Sequence, residues 1–406
     1  MGLNITREQA YAAGRAAGAA AEARVVENSF RWARIQYAGA EGLNLRDELL
    51  TFDRRRMAAD LDLRKFPECR GLREMVETER QGFLDACPDP LQLAMYHSWY
   101  WYVSRVLNTR QVARTPPPAQ CTDFWFAETR EGGPIHGSNR DDLPANYPSL
   151  PIPTRGPAEE RFTQITCVGG VSAAVLCDEE PEDWFPVRME WITPPGIRSL
   201  KEFLNFMERY HDFWGPGNRI YVDPDLNFAA VEKANRRMGV RYSTNGACAI
   251  TACAYLTPEM HAFKKERDAI SIKARGWTND CPDFLYWQGC ERRYRRLLQL
   301  VEEEGRRGAT LRGAARIALD HAVPFPDRIC VAGEKGHRHE QLQNWTMTSF
   351  VRCISGPNRR MWHWQMDPQK PVPVYRTKPL MLQGDGLTSR PEWERELAQE
   401  ALKIAE

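Results

Sequence analysis

The chain has 406 residues, 55 Lys and Arg against 54 Asp and Glu, and a net charge of +1. That balance excludes the electrostatic footprint of a nucleic-acid or membrane-surface binder. The length leaves enough apolar surface for a large domain without disulfide or metal staples, and eleven cysteines without framework spacing argue against a secreted disulfide scaffold.

The first residues, Met1 to Thr6, lack a signal-peptide pattern, because the Ala-rich stretch that follows carries Arg15, Glu22 and Arg24. Gly2 and Thr6 fit the short myristoylation pattern, but one acyl chain anchors only marginally. The longest apolar run, Ile165 to Cys177, is too short to span a bilayer. A soluble, cytoplasmic protein is expected.

Residues 6–108 read as helical, from Ala-rich segments and i/i+4 charge pairs. Pro88-Asp89-Pro90 starts a new helix near Leu91, whose aromatics (Trp99, Tyr100, Trp101, Tyr102) predict burial on several sides. Pro116-Pro117-Pro118 then enforces a stiff, extended segment. Directly after it, Cys121 to Glu128 has strand chemistry, Gly132-Gly133-Pro134 is a turn, and Ile135 to Asp142 is the returning strand or loop. Strands are predicted at 162–168 and 171–177, on either side of Gly169-Gly170. A helix is predicted over 199–214, then strands at 218–222 and 228–231. Helices follow from Thr257-Pro258-Glu259 and over 283–304 and 311–321. Strands are expected at 328–331, 346–354, 361–366 and 372–375, and a charged helix at 391–405. Strand pairs, then helices, then strands indicate an α+β fold rather than βαβ alternation.

Cys121 stands where the proline-terminated helical region gives way to a strand. A thiol of pKa about 8.5 needs a base near it to act as a nucleophile. If the Gln120–Cys121 bond is cut, the residue gains its own α-amine of pKa about 8, held beside its own thiol. The uncut thiol can attack the preceding carbonyl itself. By itself, a cysteine at a strand start is more often an inert core residue.

The motifs that follow add weight. Gly137-Ser138-Asn139-Arg140-Asp141 comes next, then Gly217-Asn218-Arg219-Ile220-Tyr221-Val222-Asp223, Ala318-Leu319-Asp320-His321, Pro326-Asp327-Arg328-Ile329-Cys330 and Thr346 to Ile354. In this order, across about two thirds of the chain, they resemble the penicillin acyltransferase (isopenicillin-N acyltransferase) family of N-terminal-nucleophile cysteine hydrolases. They are more distantly similar to the choloylglycine hydrolases. The resemblance implies a four-layer αββα sandwich and self-cleavage between Gln120 and Cys121, ahead of the Cys121-Thr122 pair. It implies a helical region 1–120, a catalytic core 121–389 and a C-terminal helix 390–406, with the cut chains staying associated. It also implies hydrolysis or transfer of an acyl group from a small amide or thioester. The family nucleophile falls on Cys121, its acid on Asp141 and its oxyanion asparagine on Asn218. Thr122, Asn139 and Arg140 are secondary candidates.

Asp141 reads equally as a turn-capping carboxylate, and Asn218 as part of a Gly-Pro-Gly-Asn turn. Gln120 departs from the family pattern, where glycine is common before the nucleophile. Arg140 replaces an apolar residue and is expected to pair with Asp142 or shape the pocket mouth. Other chemistries are weaker. Cys330, His337 and His339 lack a fourth ligand at metal spacing, so no metal is expected. Cys248 and Cys253 read as packing residues. No cofactor motif occurs, so no cofactor is expected. Two alternatives stay open: an uncleaved thiol hydrolase with His321 or His363 as base, and a binding or scaffold protein that keeps the fold.

Overall fold

The computed structural model describes residues 3–36, 40, 42–60, 63–64, 66–107, 121–142, 165–172, 189–194, 196–210, 217–234, 237–243, 245–252, 254–275, 282–320, 322–324, 327–330, 345–355, 360–366, 375–377, 380–383 and 386–389. Gln120, His321, His337, His339, Cys253 and the segment 390–406 lie outside the described residues.

The expected N-terminal helices are α1 (Arg7–Ala19), α2 (Ala23–Gln36), α3 (Leu45–Ala58), α4 (Leu72–Ala86) and α5 (Pro90–Tyr102). Thr6 opens α1 with a capping box, exchanging hydrogen bonds with Gln9. Asp89 caps α5 by accepting from the Leu91 N–H at 2.9 Å. Helix α5 is less enclosed than its aromatics predict: Tyr96 and Tyr100, one turn apart, are 41% and 40% exposed. Its buried side, with Leu91, Ala94 and Tyr102, packs on Phe30, Leu45, Leu49 and Phe52.

Helices α1 and α4 meet backbone to backbone. A Cβ on Gly14 would stand 1.9 Å from the Glu79 carbonyl oxygen, one on Gly18 2.4 Å from that of Phe83, and one on Gly82 2.2 Å from that of Tyr11. Ala10 of α1, Phe66, and Leu72 and Met75 of α4 form one cluster with Trp191 and Ile192 of the short helix α6 (Met189–Ile192), and with Phe206 and Tyr210. Phe206 belongs to α7 (Leu200–Arg209), capped by Ser199. The Asn4 N–H also donates to the Trp191 carbonyl at 2.8 Å.

The rest is mixed α+β with two antiparallel sheets. The first contains β1 (Thr122–Phe126), β2 (Ile135–Asp142), β7 (Ala247–Thr251), β8 (Trp345–Cys353), β9 (Arg360–Met366), β10 (Tyr375–Thr377), β11 (Leu380–Gln383) and β12 (Gly386–Ser389). Its order is β12-β11-β9-β8-β2-β1-β7, with β10 on β9. The second contains β3 (Thr166–Ser172), β4 (Gly217–Val222), β5 (Phe228–Ala234) and β6 (Arg237–Tyr242), in that order. Helices α8 (Pro258–Arg275), α9 (Pro282–Arg306) and α10 (Leu311–Ala318) complete the set.

Strand alternation assigns the faces. Phe124 and Phe126 of β1 point to α9 and α10, where Leu297, Val301, Leu311 and Ala315 cover them. Trp125 points the other way, onto Val168, Val171, Ile220, Val222 and Ala230 of the second sheet. The far side of that sheet, with Tyr221, Ala229 and Val231, is covered by Leu200, Phe203, Leu204 and Met207 of α7.

Three expectations are corrected. The two strands expected around Gly169-Gly170 are one strand, β3, whose pairing to β4 shifts register between Cys167 and Gly169. Residues 328–330 form no strand, although Arg328, Ile329 and Cys330 are buried. Strands β6, β7, β11 and β12 were not foreseen. Among the described residues, no helix is long and apolar enough to cross a membrane.

Candidate functional site

Cys121 immediately precedes β1, which is flanked by β2 and β7. Its carbonyl accepts the Ala252 N–H at 3.0 Å. Its side chain is buried in the cluster between the sheets, and the thiol donates to the Asp141 carbonyl at 3.7 Å. Burial pushes the thiol up to about 12; Arg140 opposes the rise, and the Asp141 and Asp123 charges add to it. The intact chain thus holds a protonated, dormant sulfur at neutral pH. Burial likewise pushes Cys248 up to about 12, in keeping with its reading as a packing residue.

Asp141 lies in β2, just past a register shift between Arg140 and Asp141, and not in a turn. Strand alternation puts its carboxylate on the helix side, as it does the Asn139 amide. There it accepts from Arg293 of α9 at 3.2 Å and from the Thr346 hydroxyl at 2.7 Å. Its backbone carbonyl, and not its carboxylate, meets the thiol.

Asn218 lies in β4, paired with Val171 and Glu232. Its Nδ2 donates to the carbonyls of Thr251, at 2.6 Å, and Ala254, at 3.1 Å. Thr251 pairs with Thr122 in the β1–β7 register, so Asn218 ties the second sheet to the strand end beside Cys121. Both amide hydrogens are engaged, and the buried Oδ1 has no partner among the described residues. Asn139 does the same on the helix side. Its Nδ2 donates to the carbonyls of Ala318, at 2.7 Å, and Ile329, at 3.2 Å. Thr122, wholly buried, pairs with Asn139 and Thr251.

Arg140 meets Asp123. Its Nη1 donates to Asp123 Oδ2 at 3.1 Å and to the Gly170 carbonyl at 2.8 Å. The side chain of Asp142 lies outside the described ones. Asp123 also accepts from His136 Nε2 at 2.8 Å, and Arg352 Nε donates to His136 Nδ1 at 3.1 Å. A guanidinium N–H on Nδ1 fixes the tautomer: the proton sits on Nε2 and the ring is neutral. Burial drives His136 down to about 4, opposed by the hydrogen bond to Asp123. With both nitrogens engaged, this imidazole cannot take a proton from Cys121.

Asp123, His136 and Arg352 were not singled out in the sequence. The available signal was strand periodicity, since residues 121, 123 and 125 share one face of β1, and His136 lies opposite Trp125. Among the described residues no group of three or more His, Cys, Asp or Glu could hold a metal. A cavity of about 400 Å³, lined by Ser199, Lys201, Asp223, Phe228 and Tyr242, lies at the start of α7, apart from Cys121. No protein-family model, curated protein or solved structure matches the chain.

Proposed function

We propose that the chain is an N-terminal-nucleophile amidohydrolase or acyltransferase of the penicillin acyltransferase type, with Cys121 as nucleophile. The observation that carries this reading is the position of Cys121: it immediately precedes a strand flanked on both sides, and its side chain faces a second antiparallel sheet. The order of covered faces, with α9 and α10 on one side and α7 on the other, supports a four-layer αββα arrangement.

In this reading the thiol attacks the Gln120 carbonyl, the acyl group moves from nitrogen to sulfur, and water hydrolyses the thioester. The Cys121 amine is thereby freed and accepts the thiol proton. The thiolate then attacks an acyl carbonyl, the amine or thiol leaving group departs with that proton, and water or an amine takes the acyl group from sulfur. Asp141, held by Arg293, orients the bulge whose carbonyl meets the sulfur. An oxyanion role for Asn218 requires one of its hydrogens to leave Thr251 or Ala254; backbone N–H groups are the other donors.

A second reading, a binding or scaffold protein with this fold, is favoured by the dormant thiol and the committed Asn218 amide. The intact mass of the purified protein separates them. Two chains, ending at Gln120 and beginning at Cys121, with Cys121→Ala uncut, support the enzyme. A single uncut chain in an active preparation overturns the α-amine mechanism, and a single inactive chain favours the scaffold.

A further inference from the structure

We propose that Asp123 and His136 form a positioning pair that aims the Arg140 guanidinium at the Cys121 sulfur, so that Arg140 is the cation that stabilises the thiolate. This rests on the proposed role of Cys121, but the test below reads the thiol itself and needs neither self-cleavage nor a substrate.

The geometry starts from the hairpin. Asp123 pairs with Ser138 and Trp125 with His136, so Cys121, Asp123, His136 and Arg140 share the face turned to the second sheet. Asp123 is wholly buried between two donors, His136 on Oδ1 and Arg140 on Oδ2. A second Arg140 contact reaches Oδ1 at 3.4 Å, giving the two-pronged grip of a guanidinium on a carboxylate. Arg352 locks the far side of the imidazole, so the ring offers Asp123 a hydrogen and cannot turn away.

Strand β3 closes the arrangement from above. The Val168 carbonyl takes Arg352 Nη2 at 3.2 Å and the Gly170 carbonyl takes Arg140 Nη1 at 2.8 Å. Between them Gly169 lies against the pair itself: a Cβ there would be 2.9 Å from His136 Nε2 and 3.1 Å from Asp123 Cβ. Asp123 and Gly170 thus pin the guanidinium, while about 30% of the Arg140 side chain remains exposed. The β1–β2 register pairs Thr122 with Asn139, so one residue further on it sets Arg140 across from Cys121 on this face. A guanidinium stays charged at any working pH, so this cation opposes the penalty that burial places on the thiolate.

The alternative is a staple that merely joins the sheets, and the two roles predict opposite signs. Alkylation of Cys121 by iodoacetamide, followed at the level of the Cys121 peptide from pH 7 to 9, separates them. If Arg140 stabilises the thiolate, Arg140→Met slows alkylation about tenfold at each pH, and Arg140→Lys recovers most of the rate. If Arg140 only staples the sheets, its loss opens the site and alkylation is unchanged or faster, which overturns the proposal. His136→Leu should slow alkylation several-fold, with recovery in His136→Gln, whose amide can still donate to Asp123. Wild-type rates in His136→Leu overturn the positioning pair. If Arg140→Met does not fold, Arg140→Lys carries the test: lacking the fork, it should be measurably slower than wild type, and equality overturns the assignment.

Discussion

Arg293 and Asp141 meet with their charged groups 3.2 Å apart, both side chains fully withdrawn from solvent. The pair joins α9 to β2 at the bulge beside Cys121. Breaking one side of such a pair costs about 3–5 kcal/mol, because the other charge is left buried and alone, whereas replacing both by apolar groups is often near neutral. Arg293→Met should therefore lower the urea midpoint sharply, and Arg293→Met with Asp141→Leu should regain most of the loss. If the double variant folds but is no longer cut at Gln120, Asp141 serves the chemistry as well as the fold. Equal midpoints for wild type and Arg293→Met would show that the pair contributes nothing.

Asn218 tests the junction of the two sheets. Asn218→Ala removes two donors and leaves the Thr251 and Ala254 carbonyls without them, at about 1–3 kcal/mol for each buried group. The variant should melt several degrees below wild type. If turnover is also lost, by about 10²–10³ at a temperature where both proteins are folded, an oxyanion role is supported. Destabilisation with wild-type turnover would reduce Asn218 to a strut.

His136 makes stability depend on acid. Its value falls from the ordinary 6.5 to about 4 in the folded chain. The unfolded chain therefore binds the proton first, and stability present above pH 6.5 is lost as pH falls toward 4. The full difference corresponds to about 3 kcal/mol. With the constant offset of the substitution set aside, the urea midpoint of wild type should fall relative to that of His136→Gln as pH drops from 6.5 toward 4. Parallel curves would show that the imidazole does not titrate this way.

Gly169→Ala should destabilise by about 1–3 kcal/mol, because the new methyl meets His136 and Asp123, neither of which can move away. Gly196→Ala is the matched control, since nothing stands within 4 Å of a Cβ there. Thermal unfolding of the two variants makes the comparison, and equal melting temperatures would mean that β3 does not press on the pair.

The hairpin of β1 and β2 was legible because its punctuation is local: three prolines before it and Gly132-Gly133-Pro134 at its tip. Helix α7 was legible from the spacing of Leu200, Phe203, Leu204 and Met207. Gly169-Gly170 misled for the same reason that local signals work elsewhere. A glycine pair reads as a turn, but here Gly169 is small because another sheet's side chains lie against it. Strand β7 opens on Ala247-Cys248-Ala249, residues without strand preference, and its strand character comes from pairing with β1. At the site, the sequence pointed to Cys121, Asp141 and Asn218 but not to their partners. Arg293 lies 152 positions from Asp141 and Arg352 lies 216 from His136, separations that no local pattern spans.

The three glycines between α1 and α4 have a mechanical consequence. With carbonyls resting where side chains would stand, α1 can neither rotate nor slide along α4 without driving a methyl or larger group into backbone. One residue inserted between Gly14 and Gly18 would turn the following part of α1 by about 100° and replace glycine contact by collision. The first helix is thus keyed to the fourth like a toothed rack. Ala10, on that same helix, carries the keyed pair onto Trp191, Ile192, Phe206 and Tyr210. A cut at Gln120 would therefore sever the chain without releasing the helical part, whose grip on residues 189–210 passes through none of the residues around the cut.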